Sequence, residues 1–399
     1  MDNVTQNTVI RQLLSLLPVN VQERTAYDRY AKKLTINKSI LLFAAASMDY
    51  WSSYEDMGVK LRSKPELQDL LQLQSISGSQ LSRKLNLIPT ELLQEIFIHC
   101  TSKLQRLTNG ANGITANIGK LAIVDSSALS LPLNLAKWAK ISRKESGIKM
   151  HTRLIAASPD AIYPDAMVPS TRNVGDREGA IELVTESDAT YVMDRGYDDY
   201  KKMDRWVERN IRFVMRIRDR TSTTVLEEYE VPTGSHITRD AKVKVGSAFR
   251  SMENNVRLVE YLDEQGRTYR ILTTRWDVTA EEIAQIYKCR WLIELFFKWL
   301  KQHVRLVKLY SYKPQALWNQ MFIALIVHAL VQLTKMSRNI PRTNWQMLQL
   351  LRTYLFQQWA ELERELNRTL RKSKGRKPST SPPEIRVHTK IGIMKPSKQ

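Results

Sequence analysis

Only two cysteines, Cys100 and Cys289, occur in the 399 residues, far apart and outside any metal-spaced or redox pair. That excludes a disulfide scaffold, a zinc ribbon and a thiol redox site, and it suits a reducing compartment. Histidine is scarce too: six are scattered without metal-ligand spacing, so His151 and His328 read as structural. The most apolar run, Met321 to Leu333, is interrupted by His328 and Gln332. It falls short of the roughly 20 residues of a membrane span and is expected to be a buried core helix. The opening MDNVTQNTVIRQLL has neither a basic n-region nor an apolar h-region, so a cytoplasmic location without a secretory signal is expected. No GxSxG elbow surrounds Ser126 and Ser127, which disfavours a serine hydrolase.

Acidic residues are in deficit: 41 Asp and Glu against 61 Lys and Arg, a formal charge of +20. Residues 367 to 399 hold ten basic residues and one Glu, which leaves +11 on the body. A basic body, and not merely a basic tail, implies a polyanionic partner. With 43% apolar residues the chain can bury a sizeable core in two or three units.

Apolar spacing of three and four predicts a helical unit over residues 1–108. Within it SISGSQLSRKLNLIPTELLQEIF fits either a helix-turn-helix around Pro89 or an ordinary helical pair. NGANGIT has linker composition. Residues 119–219 then read as strands that first cluster and later alternate with helices: KLAIVDSSAL, GIKMHTRLIAAS, AIYPDAMVPS, ATYVMDRGY and IRFVMRIR, with REGAIELV and DDYKKMDRWVERN as helices. This is the pattern of an α/β core with a mixed sheet. Residues 220–277 form a β-rich insertion of short runs such as VRLVEYL and YRILTTRW. Helices return over 278–366, where Thr279 and Glu282 make a capping box, and 367–399 reads as a basic disordered tail.

Asp125 and Asp194 each close an apolar run, and open α/β sheets place their sites at the carboxyl ends of strands. The candidate third carboxylate is Glu294. At 100° per residue Tyr287, Arg290, Glu294 and Lys301 share one stripe, and Leu292, Leu295, Phe296, Trp299 and Leu300 cover the opposite side of a continuous helix. By itself the stripe is an ordinary i,i+4 pair of Arg290 and Glu294. Three carboxylates in one crevice call for cations, and an oxygen-only donor set favours Mg²⁺ or Mn²⁺. Two such ions suit in-line phosphoryl displacement on a phosphodiester.

These residues resemble the DDE transposases of bacterial insertion sequences, specifically the IS4 group. YKCRWLIELFFKWLK carries that group's spacing of Tyr, Arg, Glu and Lys, AIVDSSAL with GIKMHTRL is similar to its first segment, and YVMDRGYDD with FVMRIR to its second. The resemblance covers about residues 120–335. It implies an RNase H-like core with a β-rich insertion, behind a small all-helical DNA-binding domain. It also implies metal-dependent cleavage at terminal inverted repeats and strand transfer, with a homodimer joining two ends. Asp125, Asp194 and Glu294 take the catalytic and metal-binding roles; Tyr287, Arg290, Lys298 and Lys301 are expected on DNA. Tyr269 or Trp276 is a candidate to stack on a flipped base. In STRNVGDREG the group often has His before the Asp, where this chain has Gly175 before Asp176. A nuclease that cuts without joining and a non-catalytic DNA-binding protein remain the alternative readings.

Overall fold

The computed structural model describes residues 7–185, 188–304 and 306–368; the expected tail lies, from residue 369 on, outside them. Six helices come first: α1 (Val9–Leu14), α2 (Ile36–Met48), α3 (Tyr54–Ser63), α4 (Pro65–Leu71), α5 (Gly78–Leu87) and α6 (Thr90–Leu107). Their starts follow from the sequence. Thr35, Ser53 and Ser77 each accept a hydrogen bond from a backbone N–H of the first turn, and Ser77 closes a capping box with Gln80.

The loop after α6 is tightly folded. Gly113 has φ +77°, and a Cβ there would stand 2.0 Å from the Gly119 carbonyl carbon, so only glycine fits. Five strands and two helices follow: β1 (Leu121–Leu131), β2 (Ser146–Ser158), β3 (Ala161–Thr171), α7 (Asp176–Leu183), β4 (Thr190–Met193), α8 (Tyr200–Glu208) and β5 (Arg212–Arg216). β1, β2 and β3 are antiparallel, and β4 runs parallel to both β1 and β5. The sheet is therefore mixed, as the run of elements implied. Leu121 to Val124, Tyr191 to Met193 and Phe213 to Met215 are all buried, because helices cover both faces; this is why these strands read as unbroken apolar runs.

The β-rich segment extends the same sheet. β6 (Thr223–Glu228), β7 (Ile237–Ser247), β8 (Arg250–Ser251), β9 (Val256–Leu262) and β10 (Thr268–Thr273) complete ten strands, in the order β3-β2-β1-β4-β5-β10-β9-β7-β6 with β8 beside β7. Its exit is pinned by Arg275, 1% exposed, whose guanidinium donates to Ile118 O (3.0 Å), Thr190 Oγ1 (2.7 Å) and Asn117 O (2.9 Å) and pairs with Asp277. One buried arginine thus ties the insertion to the starts of β1 and β4.

Helices α9 (Ala280–Lys288), α10 (Trp291–His303), α11 (Pro314–Ser337), α12 (Asn344–Thr353) and α13 (Trp359–Leu366) finish the chain. The apolar run over 321–333 belongs to a longer helix than expected. By length and composition α11 is able to cross a membrane, yet 94% of its most apolar window is buried inside the protein. It packs on α6, α2 and α5, and Asn319 donates to the buried backbone carbonyls of Leu85 and Ile88 at the end of α5 (both 2.8 Å).

Two expectations change. The helix through residue 290 is not continuous: Arg290 N bonds Tyr287 O, Leu292 N bonds Cys289 O and Ile293 N bonds Arg290 O, all i to i+3, so a tight 3₁₀ joint separates α9 from α10. Each such step turns about 120° rather than 100°, which shifts the phase of α10. Ile293, Phe296, Phe297 and Leu300 are buried, whereas Leu295 is 45% exposed and Leu292 half-buried. Nor does Asp125 end its strand. β1 runs on to Leu131, because β2 pairs with it from Leu121↔Ala156 to Leu131↔Ser146.

Candidate active site

The site begins with a register. Parallel pairing sets Val124 opposite Met193, so the next residues, Asp125 and Asp194, emerge level with each other where β4 ends. Each carboxylate is oriented by the N–H that follows it: Ser126 N donates to Asp125 (2.7 Å) and Arg195 N to Asp194 (2.6 Å). Burial pushes the Asp125 carboxyl up to about 6; Ser126 N–H and Arg290 oppose the rise, and the charges of Asp194 and Asp176 add to it. A half-buried carboxylate in this position is stabilised as an anion by a cation.

Arg290 supplies one. At the joint between α9 and α10, its guanidinium donates to Asp125 Oδ2 (3.2 Å) and to Glu294 Oε1 (2.5 Å). Burial would lower its pKa, but Glu294, Tyr287 and Asp125 outweigh it and raise it. The arginine therefore binds together two side chains 165 and four residues away from it. Tyr287 is buried beneath it, its hydroxyl pushed up to about 12 by burial first and then by the charge of Asp194. On the other side, Asp125, Glu294, Lys298 and Lys301 line an open cleft of about 410 Å³. Lys298 is exposed; Lys301 donates to Ala128 O (3.2 Å), and burial lowers its pKa.

A second cavity of about 830 Å³ adjoins Arg290, lined by Tyr261, Tyr269, Tyr287 and Trp291 among others. The Tyr269 ring is already engaged, stacked on Tyr261 (5.2 Å, 8°) with the Arg216 guanidinium 4.5 Å from its centroid. Trp276 lines neither cavity; it is 47% exposed and packs edge-on against Tyr229 at 6.3 Å.

Asp176 also belongs to this neighbourhood, though nothing in its local sequence placed it there. Its Oδ1 accepts from Ser126 Oγ (2.7 Å) and Lys149 Nζ (3.0 Å) and lies 3.8 Å from His151 Nδ1. Burial would raise its pKa, but Ser126 and Lys149 outweigh it and hold the carboxyl below its ordinary value. Cross-strand pairing explains the convergence: Ser126 faces His151, and Lys149 is two residues along β2 on the same side. The local segment, STRNVGDREG, sets Asp176 at the first position of α7 behind Gly175, which makes no side-chain cap bond.

The donor set fits a hard divalent cation by chemistry: Asp125, Asp194 and Glu294 offer only carboxylate oxygens and are all half-buried, where positive charge stabilises them. Among the described residues, no three carboxylate, histidine or cysteine side chains already surround one ion position, because Arg290 stands between Asp125 and Glu294.

Three antiparallel strands followed by two parallel ones, with aspartates level on the central parallel pair, define the RNase H-like class of α/β fold. Residues 118–330, more than half of the chain, match the family described as the transposase DDE domain, and the chain belongs to that family. It is 27% identical to a probable transposase for insertion sequence element IS5377 of Geobacillus stearothermophilus, over 78% of this chain and 80% of that one. It is 28% identical to a putative transposase for insertion sequence element IS4SA of Synechocystis sp., over 43% and 48% of the two chains. A cryo-EM structure of a piggyBac transposase synaptic complex with hairpin DNA aligns with 93% of this chain and 81% of that chain, at TM-score 0.40 and 13% identity.

Proposed function

We propose that this chain binds the terminal inverted repeats of an insertion sequence and catalyses metal-dependent DNA cleavage and strand transfer, acting in the cytoplasm as a homodimer on DNA. The observation that carries the reading is the level emergence of Asp125 and Asp194 from parallel strands, with Arg290 linking Asp125 to Glu294 on α10. Asp125, Asp194 and Glu294 would hold two Mg²⁺ or Mn²⁺ ions, which when bound supply activation of the attacking oxygen and stabilisation of the leaving one.

The chain's own groups divide the remaining work. Ser126 N–H and Arg195 N–H hold the two aspartates in fixed rotamers. Arg290 is the internal counter-ion of Asp125 and Glu294, and it is the cation nearest to where a scissile phosphate would lie against them. Tyr287 supports it from below, and Lys298 and Lys301 offer charge to the phosphate backbone along the cleft. Of the two aromatic candidates, Tyr269 lines the cavity that adjoins Arg290, whereas Trp276 follows Arg275, which is tied to the starts of β1 and β4, the far ends from Asp125 and Asp194; Tyr269 is therefore the better placed to stack on an unpaired base.

DNA is further gripped by the N-terminal helices in this reading. A groove of about 1100 Å³ is lined by Lys32, Lys33, Arg62, Arg83 and Lys84 beside the exposed Tyr27 and Tyr30. No carboxylate lines it.

The test is cleavage of a DNA fragment carrying the element's ends, in Mg²⁺, by the wild type and by Glu294→Gln. We expect cut and joined products from the wild type and neither from the variant. Undiminished cleavage by Glu294→Gln would remove Glu294 from the site, and cutting without joined products would leave a nuclease.

A further inference from the structure

Tyr197 is the last residue of the 3₁₀ turn Arg195–Tyr197 that follows Asp194, and it is 1% exposed. Its hydroxyl oxygen is buried and has no hydrogen-bond partner among the described residues. A buried hydroxyl in that condition costs roughly 1–3 kcal/mol relative to a paired one, and phenylalanine would fill the same volume without the cost. What surrounds the oxygen is equally unusual. Asp125, Asp176 and Asp194 all act on it electrostatically. The turn also lies directly on α7: a Cβ on Gly196 would stand 3.4 Å from Asp176 Oδ2.

An ordinary phenol is protonated at neutral pH, so the unpartnered hydroxyl is available as a donor among these carboxylates. Asp125 emerges level with Asp194, the residue from which the turn carrying Tyr197 starts, and its present partners are Ser126 N–H and Arg290. Arg290 is shared with Glu294 and sits at the border of the DNA cleft. When Arg290 turns to a phosphate, Asp125 loses the one side-chain donor it has among the described residues. The neutral Tyr197 hydroxyl, which has no partner of its own among the described residues, is then a donor able to hold the carboxylate without competing as a cation.

We propose that the Tyr197 hydroxyl is a positioning donor for the Asp125 carboxylate, fixing its orientation when the site is engaged. This rests on the transposase reading of the site above. It predicts opposite signs for stability and function, which packing alone does not.

The experiment compares wild type with Tyr197→Phe in three measurements. In chelator, thermal unfolding of the variant is expected at the same or a higher temperature, because an unpaired oxygen is removed from the interior. Titration with Mn²⁺, followed by calorimetry, is expected to show affinity reduced about tenfold, the scale seen when a group behind a metal ligand is lost. Single-turnover cleavage at saturating DNA is expected to slow by a similar factor, with DNA affinity unchanged. A variant that binds Mn²⁺ and cleaves like the wild type overturns the proposal, and so does a marked fall in melting temperature, which would show the hydroxyl to be a structural bond. A wild type that neither binds Mn²⁺ nor cleaves overturns the underlying reading and the proposal with it; that outcome is recognised without the variant.

Discussion

At the scale of single residues the dominant fact is that Arg290 only partly offsets the cost of ionising Asp125. Asp125 holds its proton up to about pH 6, against 3.8 for the free side chain, mainly because it is buried. The sign follows directly. Between those two values the folded protein binds more protons at this position than the unfolded chain does, so stability falls as pH rises through the interval and stays low above it. At 1.36 kcal/mol per pKa unit the ionised carboxylate costs about 3 kcal/mol. Asp125→Asn keeps the shape and removes the charge, while Arg290 retains Glu294 as a partner. In chelator at pH 8 the variant should therefore melt higher than the wild type, by roughly 5 °C. The gap should shrink by about half on moving to pH 5. Melting curves at the two pH values check this, and a variant less stable than wild type at pH 8 would show that the Arg290 contact outweighs burial.

At the scale of elements, α7 is what delivers Asp176 to Ser126 in the middle of β1, and its seat on the sheet is unusually close. A Cβ on Gly179 would stand 2.4 Å from His151 Nδ1, and that ring is fully buried, held at Nε2 by Ser170 Oγ (3.0 Å). Gly179→Ala must push the helix outward, which should cost about 1–3 kcal/mol and loosen the Asp176 contact to Ser126. Combining it with His151→Ala should recover much of that loss, since the clashing partner is gone. Additive destabilisation in the double variant would refute the packing argument.

The same element scale shows what was legible beforehand. β1 and β4 could be read because burial on both faces leaves continuous apolar runs ending near an aspartate. The i,i+4 relation of Arg290 and Glu294 could be read because it is local. The reach of Arg290 across 165 residues to Asp125 could not, since a strand's neighbours are not encoded in its own periodicity. Helical phase failed past Cys289 for a related reason: three i to i+3 bonds replace i to i+4 ones, and nothing in the apolar spacing announces the change. Asp176 was passed over because its role arises from Ser126, His151 and Lys149, which only the β1–β2 register brings together.

At the scale of the whole molecule, the surplus of positive charge is +20 over the chain, while the cleft of Asp125 and Glu294 sets two carboxylates against Lys298 and Lys301 and so holds little of that surplus. Much of the energy for binding a phosphate backbone then has to come from elsewhere, and the groove between α5 and the segment before α2 is the best provided surface. Its geometry is fixed from within. Buried Asp28 accepts from Thr25 N (3.0 Å), Ile36 N (2.8 Å) and Lys84 Nζ (3.4 Å), and the first two of these contacts hold the loop that carries Lys32 and Lys33. Lys32, Lys33 and Arg83 remain exposed along the groove. Each phosphate neutralised releases counterions and contributes about 0.9 to the slope of log affinity against log salt. Replacing all three with alanine should reduce that slope by up to about 2.7 and weaken binding to end-bearing and unrelated duplexes alike. The rate of cleavage from the preformed complex should not change, because none of the three lines the cleft of Asp125 and Glu294. Fluorescence anisotropy over a salt series measures the slope directly. An unchanged slope would move the DNA path off the N-terminal helices and onto Lys298, Lys301 and the insertion.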